Sequence, residues 1–352
     1  MKDLVKRRPA KKLTLARRAI TRSSRVFESM KIYAFIIGIA MAIGLIASVS
    51  AGRRASLYPN PVQAASPKVS AQYQDEVSQL AAGGLRLKEA VEASLDGTAQ
   101  HLAAIFQREK PKAPNEAFEL RIIESDGRAA KTIFRRADFF FSFAFAGEPN
   151  KLNATDTNGD GLKEIIVQSS SGGNCWSCNP TEIYQVRNHK AELLAAGPIQ
   201  RLADLNGDGT QELLMTDARW ESYDDLSHAA SPGAVMVYAW RNEKYVYVSR
   251  DFADFYKGEA GKLRASIDEA KSQIIADEYS DEVYVGLSIS LALTYAHAGE
   301  LDRGLREMEL LLNSNAKSVA QSKHRAVIID DFRKGESGRK LREMKYGDPL
   351  PL

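Results

Sequence analysis

The sequence predicts an α+β protein in which antiparallel β repeats are flanked by N-terminal helices and a C-terminal helical segment. Short segments rich in aromatic and β-branched residues follow one another between residues 117 and 250, with turn residues between them. Apolar residues recur at helical spacing on both sides of this region. Because helices do not alternate with the predicted strands, an antiparallel sheet is favoured over parallel βαβ units.

Residues 1–51 have the pattern of an export signal. Residues 32–49 form an uncharged apolar run, whose length is near the minimum for a helix that crosses a bilayer. Eleven Lys and Arg precede this run, a bias that places the N-terminus on the inner side of the membrane. Two interpretations remain open: a cleaved signal peptide that starts at Met30 and leaves Gly52 as the mature N-terminus, or one uncleaved helix in the inner membrane. Both predict a periplasmic or otherwise extracytoplasmic location for residues 52–352.

The charge distribution argues against a nucleic-acid partner. The formal net charge is +3, but 11 of the 48 Lys and Arg and only two of the 45 Asp and Glu lie within residues 1–51. The remainder of the chain therefore carries an excess of acidic side chains. The basic character comes from the N-terminal segment, so it does not indicate a nucleic-acid surface.

The exported part divides into three predicted segments. Residues 52–116 contain a Pro-rich linker and then apolar residues at helical spacing, which Gly83 and Gly84 divide into two helices. Residues 117–252 are the predicted β repeat domain. Residues 253–352 are a predicted helical hairpin region with a basic, polar tail, which is either loose or docked as a strap.

An internal duplication lies within the β region. An acidic loop that begins at Asp156 recurs 48 residues later at Asp204, and the turn Arg-Asn-x-Lys occurs at residues 187–190 and again at 241–244. Both markers recur in the same order, so we interpret the region as a duplicated unit of about 50 residues, the size of a propeller blade. The predicted strands span residues 118–123, 132–136, 139–145, 164–168, 182–186, 191–194, 212–215, 234–240 and 245–248.

Each acidic loop has the ligand spacing of a calcium site. The pattern Asp-x-Asn-x-Asp-Gly-x-x-Glu places side-chain oxygens at positions 1, 3, 5 and 9, and a backbone carbonyl at position 7 can add another. An oxygen-only set suits Ca²⁺, whereas Zn²⁺ would require His or Cys. The loop is not an EF-hand, since Val167 and Met215 stand where a Glu is needed; a turn held by its own hydrogen bonds is the alternative. The predicted ligands are Asp156, Asn158, Asp160, Leu162, Glu164, Asp204, Asn206, Asp208, Thr210 and Glu212.

These loops resemble the calcium loops of integrin-type FG-GAP repeats and of the related VCBS repeats. The resemblance covers about 100 residues, from Asp156 to Asp251. It implies β-propeller blades and structural rather than catalytic calcium. Two or three units are too few to close a ring of seven blades, so we expect a partial propeller or a sandwich-like sheet.

The two cysteines, Cys175 and Cys178, form a CxxC pair in a glycine-rich loop between predicted strands. A redox centre would require a strand that leads into a helix, and a zinc site would require a second pair. We therefore predict a structural disulfide. Redox activity and free thiols remain open alternatives.

The predicted function is that of a non-enzymatic, exported protein that holds structural calcium and binds an unknown protein or cell-surface partner. Residues 291–308 resemble one tetratricopeptide repeat, a partner-binding hairpin, although an ordinary helical hairpin is the alternative. The chain has no G-x-S-x-G, phosphate-binding Gly loop or H-E-x-x-H motif, and its five His are scattered, so no catalytic residue is predicted. Two other functions remain open: a calcium-dependent carbohydrate-binding module that uses its Trp residues, and a thiol–disulfide oxidoreductase that uses the cysteine pair.

Overall fold

The computed structural model describes residues 67–143, 154–273, 278–314 and 319–351. These residues form an α+β protein with three antiparallel sheets, none of which closes into a barrel. Within this part of the chain, no helix is both long and apolar enough to cross a membrane. The predicted signal or anchor at residues 32–49 lies outside the described residues.

The first sheet is a four-stranded meander preceded by one helix, α1 (Ala71–Ala82). Its strands are β1 (Leu85–Ala93), β2 (Gln100–Arg108), β3 (Phe118–Ser125) and β4 (Ala130–Asp138). The prediction of a second helix after Gly84 is wrong, because residues 85–108 form β1 and β2. Strand β2 buries both of its faces, so its apolar residues do not alternate with polar ones and the period of a strand is lost.

The second sheet contains two short strands that pair with the same neighbouring strand. Its strands are β5 (Phe140–Ser142), β6 (Ala154–Thr155), β7 (Glu164–Ser170), β8 (Thr181–Arg187) and β9 (Lys190–Gly197). Both β5 and β6 pair antiparallel with β7: Phe140 pairs with Ser170, and Thr155 pairs with Glu164.

The third sheet repeats the second. Its strands are β10 (Ile199–Ala203), β11 (Glu212–Thr216), β12 (Val235–Arg241) and β13 (Lys244–Tyr247). The β8–β9 and β12–β13 hairpins turn at the two Arg-Asn-x-Lys markers, and the central residues of both turns have φ near 50° and 61°. These are the left-handed values of a two-residue hairpin turn. The sequence duplication is thus also a structural one. The sequence did not predict β6 and β10.

Consecutive sheets pack face to face. Ile165 and Val167 of β7 join the core with the first sheet, whereas Ile166 joins the core with the third sheet. Alternate residues of a strand point to opposite faces, so β7 is apolar throughout because both of its faces are covered.

The C-terminal region is a group of helices. They are α2 (Ala253–Gln273), α3 (Glu278–His297), α4 (Leu301–Ser314), α5 (Val319–Lys334) and α6 (Glu336–Arg342). Helix α3 is the central one, with α2 packed on one of its faces and α4 and α5 on another. Gly304 allows α4 to approach α3, since a Cβ at this position would lie 2.6 Å from the carbonyl oxygen of Ala292. The tetratricopeptide resemblance of this hairpin stays a prediction.

The end of the chain docks on the third sheet. The Tyr247 N–H donates to the Asp348 carbonyl oxygen at 2.8 Å, and the Leu350 N–H donates to the Tyr245 carbonyl oxygen at 2.8 Å. Val246 and Pro349 form an antiparallel bridge between these bonds. Of the two alternatives for the tail, the structure shows the docked strap.

Candidate metal centres

The first acidic loop connects β6 to β7 and is closed by its own hydrogen bonds. Its Asp and Asn side chains accept backbone N–H groups: Asp156 from Gly159 (2.7 Å) and Gly161 (2.9 Å), Asn158 from Asp160 (2.9 Å), and Asp160 from Leu162 (2.9 Å). Glu164 is buried at the start of β7, and its Oε2 accepts the Thr157 N–H at 2.7 Å. The Arg187 guanidinium lies 3.0 Å from Asp160 Oδ2, so a protein cation already contacts this loop.

The second acidic loop connects β10 to β11 with the same local geometry. Its side chains accept the equivalent N–H groups: Asp204 from Gly207 (2.6 Å) and Gly209 (3.0 Å), Asn206 from Asp208 (2.9 Å), and Asp208 from Thr210 (2.8 Å). Glu212 has no exposed surface, and its Oε2 accepts the Leu205 N–H at 2.7 Å. Its other oxygen, Oε1, is buried without a hydrogen-bond partner.

The two loops lie side by side. The Gln211 N–H donates to the Thr157 carbonyl oxygen at 2.9 Å, and a Cβ on Gly159 would lie 2.8 Å from Thr210 Cγ2. Burial and the two loop aspartates raise the pKa of Glu164 to about 7. Burial and the two aspartates of the second loop likewise raise the pKa of Glu212. Each loop therefore concentrates negative charge that the protein only partly neutralises.

A different group of ligand-type side chains lies where the first and second sheets meet. Asp96 in the β1–β2 turn, His101 in β2 and Glu124 in β3 place one ligand atom each within 4.8 Å of one another. His189, in the β8–β9 turn, has its Nδ1 2.7 Å from Glu124 Oε2. We call these four residues the His101 cluster. Among the described residues, no three carboxylates of either acidic loop place their oxygens this close to one another.

The His101 side chain is positioned by the register of the sheet. His101 and Glu124 are direct cross-strand partners in β2 and β3. Asp96 is held by the N–H groups of Thr98 and Ala99, both at 2.9 Å. Spacing along the chain does not indicate this cluster, because the four residues come from three separate hairpins.

Cys175 and Cys178 are joined in a disulfide in the loop between β7 and β8, with their Cα atoms 5.0 Å apart. The residues that follow Cys175 form a short 3₁₀ turn, Trp176–Cys178, rather than an α-helix. The Trp176 N–H donates to Glu221 at 2.9 Å and so attaches the turn to the loop that follows β11. The predicted disulfide is therefore formed, and its structural role stays a prediction.

A cavity of about 620 Å³ lies between the third sheet and the C-terminal strap, and buried Asp217 lines it. Asp217 accepts from the Arg219 guanidinium at 2.6 Å and from Trp220 Nε1 at 2.8 Å. His297 Nε2 is 3.3 Å from Asp217 Oδ2, and its Nδ1 is 2.8 Å from the Tyr247 hydroxyl. The hydrogen bonds from Arg219 and the nearby imidazole of His297 outweigh burial and hold the pKa of Asp217 well below its usual range. This network links α3 to the third sheet.

No protein-family model, curated protein or solved structure matches this chain. The resemblance to FG-GAP and VCBS repeats therefore depends on the residues of the two acidic loops and their duplicated hairpins.

Proposed function

We propose that this protein is a calcium-stabilised β-repeat module of FG-GAP or VCBS type that binds a protein or cell-surface partner outside the cytoplasm. The observation that carries the proposal concerns the side chain of Glu212, at the ninth position of the second loop. Its Oε1 is buried without a hydrogen-bond partner. An unsatisfied buried acceptor costs about 1–3 kcal/mol, and a bound cation would remove this cost.

The donor set fits calcium. In each loop, carboxylates, one amide and a backbone carbonyl from Leu162 or Thr210 supply only oxygen. Hard cations with six to eight oxygen ligands prefer such a set, and flexible loops accommodate the longer bonds to Ca²⁺. Ca²⁺ would draw the carboxylates together, and their charges would then favour binding rather than repel one another.

The proposed role of calcium is structural. The two loops are in contact through Gln211 and Thr157, and each loop immediately precedes an interior strand of its sheet. Ions in both loops would therefore stabilise the junction of the second and third sheets. We assign partner binding to the helical region, where α4 and α5 expose Leu310 (68%) and Val327 (59%) to solvent.

The carbohydrate-binding and oxidoreductase alternatives each require particular side chains, and the arrangement of those side chains supports these alternatives less well. Trp220 is 1% exposed and stacks on Phe332, with ring centroids 5.4 Å apart, so it is a core residue rather than part of a carbohydrate surface. The cysteine pair is oxidised and does not begin an α-helix. A carbohydrate site on Trp176 or Trp240, and redox activity at the cysteines, remain predictions.

Calcium titration by calorimetry tests the proposal. We expect the full-length chain, purified in mild detergent, to bind two Ca²⁺ ions, and Asp208→Asn to remove one of them. Asp126→Asn is the matched control, because Asp126 caps a turn through the N–H groups of Arg128 and Ala129 but lies outside both loops. Absence of saturable calcium binding by the folded wild-type protein would overturn the proposal.

A further inference from the structure

We propose that Asp96, His101, Glu124 and His189 form a site for a divalent transition metal, and that Zn²⁺ is the ion that fits it. The site would join the first sheet to the second. It is separate from the two calcium loops and does not depend on the function proposed for them.

Within the His101 cluster, the ligand atoms of Asp96, His101 and Glu124 are separated by distances close to those of a metal site, and His189 contacts only Glu124 of the three. His101 Nε2 lies 3.7 Å from Glu124 Oε2 and 4.0 Å from Asp96 Oδ2. These separations are too long for hydrogen bonds. Tetrahedral Zn²⁺ with bonds of about 2.0–2.1 Å holds its ligand atoms about 3.4 Å apart. His101 would therefore approach Glu124 by about 0.3 Å and Asp96 by about 0.6 Å, whereas His189 and Glu124, now 2.7 Å apart, would separate by about 0.7 Å.

His101 itself lacks a partner on the side that faces the carboxylates. The residue has no exposed surface, and Nε2 makes no hydrogen bond. On the other side of the ring, the Leu95 N–H donates to Nδ1 at 3.4 Å, at the long limit of a hydrogen bond.

The duplicated hairpin shows that His189 is not required by its turn. The equivalent residue of the third sheet is Glu243, and both residues have φ of 61°. The same backbone therefore accepts another side chain. His189 is 63% exposed, yet it contacts Glu124 Oε2, the oxygen that His101 also faces.

The donor set selects a borderline transition metal rather than calcium. Two imidazoles and two carboxylates match tetrahedral zinc, whereas the acidic loops offer oxygen alone. Lys131 Nζ lies 3.5 Å from Glu124 Oε1, which leaves Oε2 as the ligand oxygen. The alternative is that the four residues form only an ion-pair network, and the experiment below separates the two.

Calorimetric titration with Zn²⁺ tests the site on the tag-free, full-length chain in millimolar Ca²⁺. We expect one saturable Zn²⁺ ion per chain and a loss of affinity of at least about tenfold in His189→Asn. Glu243→Asn, the same change at the equivalent turn position, should bind zinc as the wild type does. Replacement of Asp204 and Asp208 by Asn should also leave zinc binding intact, so this test succeeds or fails independently of the calcium proposal.

A second variant guards against a folding defect. Glu124→Gln keeps the size of the side chain but removes the carboxylate, and it should lose zinc binding while circular dichroism shows an unchanged fold. Failure of the wild type to bind Zn²⁺ would overturn the proposal. Unchanged affinity in both His189→Asn and Glu124→Gln would overturn it as well, because the ion would then lie elsewhere.

Discussion

The backbone N–H of Gln211 donates to the carbonyl oxygen of Thr157 at 2.9 Å, and this bond joins the two acidic loops. One loop belongs to the second sheet and the other to the third. The duplicated units therefore meet where each carries its acidic side chains. A cation in either loop would stabilise this contact together with its own turn, because only the folded chain assembles the ligands.

The contact between the loops predicts the effect of Gly159→Ala. Gly159 has φ of 77°, and a Cβ there would lie 2.8 Å from Thr210 Cγ2, so the substitution adds a clash to about 1–2 kcal/mol of backbone strain. Urea unfolding should show that Gly159→Ala is more destabilising than Gly127→Ala, which has φ of 86° and open space around the Cβ. Thr210→Ser should recover part of the loss. Equal effects at the two glycines would show that the loops do not pack as described.

The ion pair of Arg187 with Asp160 predicts unequal calcium affinities. Arg187 partly neutralises the first loop, whereas its counterpart Arg241 pairs with Asp251 at 2.7 Å, outside the second loop. We therefore expect Arg187→Gln to strengthen the weaker calcium site and Arg241→Gln to leave both sites unchanged. Calcium titrations of the two variants, compared with the wild type, measure this directly. Weaker binding by Arg187→Gln would contradict the assignment of Asp160 as a ligand.

The lowered pKa of Asp217 predicts that the folded protein loses stability in acid. Its pKa is lower in the folded state than in the unfolded chain, so the ionised carboxylate contributes stability that is fully present above about pH 5. This stability declines as the pH falls through the unfolded value of about 3.9. Urea unfolding between pH 3 and 6 should show a weaker pH dependence for Asp217→Asn than for the wild type. The same substitution should cost about 1–3 kcal/mol at neutral pH, because it removes the charge of a buried acceptor, whereas its partner Arg219 is partly exposed.

The control for this pH series is Asp302→Asn, at the exposed start of α4. Its unfolding should follow the wild type throughout the pH range. If Asp217→Asn retained the full pH dependence of the wild type, the network of Asp217, Arg219 and His297 would not be a determinant of acid stability.

The disulfide between Cys175 and Cys178 predicts that reduction lowers the stability of the protein by a small amount. Opening the short Cys175–Cys178 loop should cost about 2 kcal/mol, since few residues are constrained by the bond. Cys178→Ser should lower the melting temperature and leave calcium binding unchanged, and a reducing agent should reproduce the shift in the wild type. Turnover of a disulfide substrate by the wild-type protein would instead support the oxidoreductase alternative.

The sequence predicts the acidic loops and the hairpin turns, because these features depend on residues only a few positions apart. The Asp-x-Asn-x-Asp-Gly loops and the Arg-Asn-x-Lys turns were located because side-chain oxygens and left-handed residues define such turns within a few positions. The sequence predicts a helix where β1 and β2 lie, because tertiary packing covers both faces of β2 and leaves no period of two.

The His101 cluster could not be predicted from spacing. His101 meets Glu124 only through strand register, and His189 arrives from a different sheet. One signal was present in the sequence: His189 differs from Glu243 at equivalent positions of two turns that are otherwise alike. This difference shows that the turn itself does not require His189, and it does not identify a partner.

Thermal unfolding of the full-length chain, first in EGTA and then in millimolar Ca²⁺, tests the central claim most directly. Sites with dissociation constants of about 10⁻⁴–10⁻³ M should add about 1–3 kcal/mol each at 10 mM Ca²⁺, which raises the melting temperature. Replacement of Asp156, Asp160, Asp204 and Asp208 by Asn should abolish the increase, whereas Asp126→Asn should retain it. An unchanged melting temperature in a folded wild-type protein would contradict the claim and leave the loops as turns closed by their own hydrogen bonds.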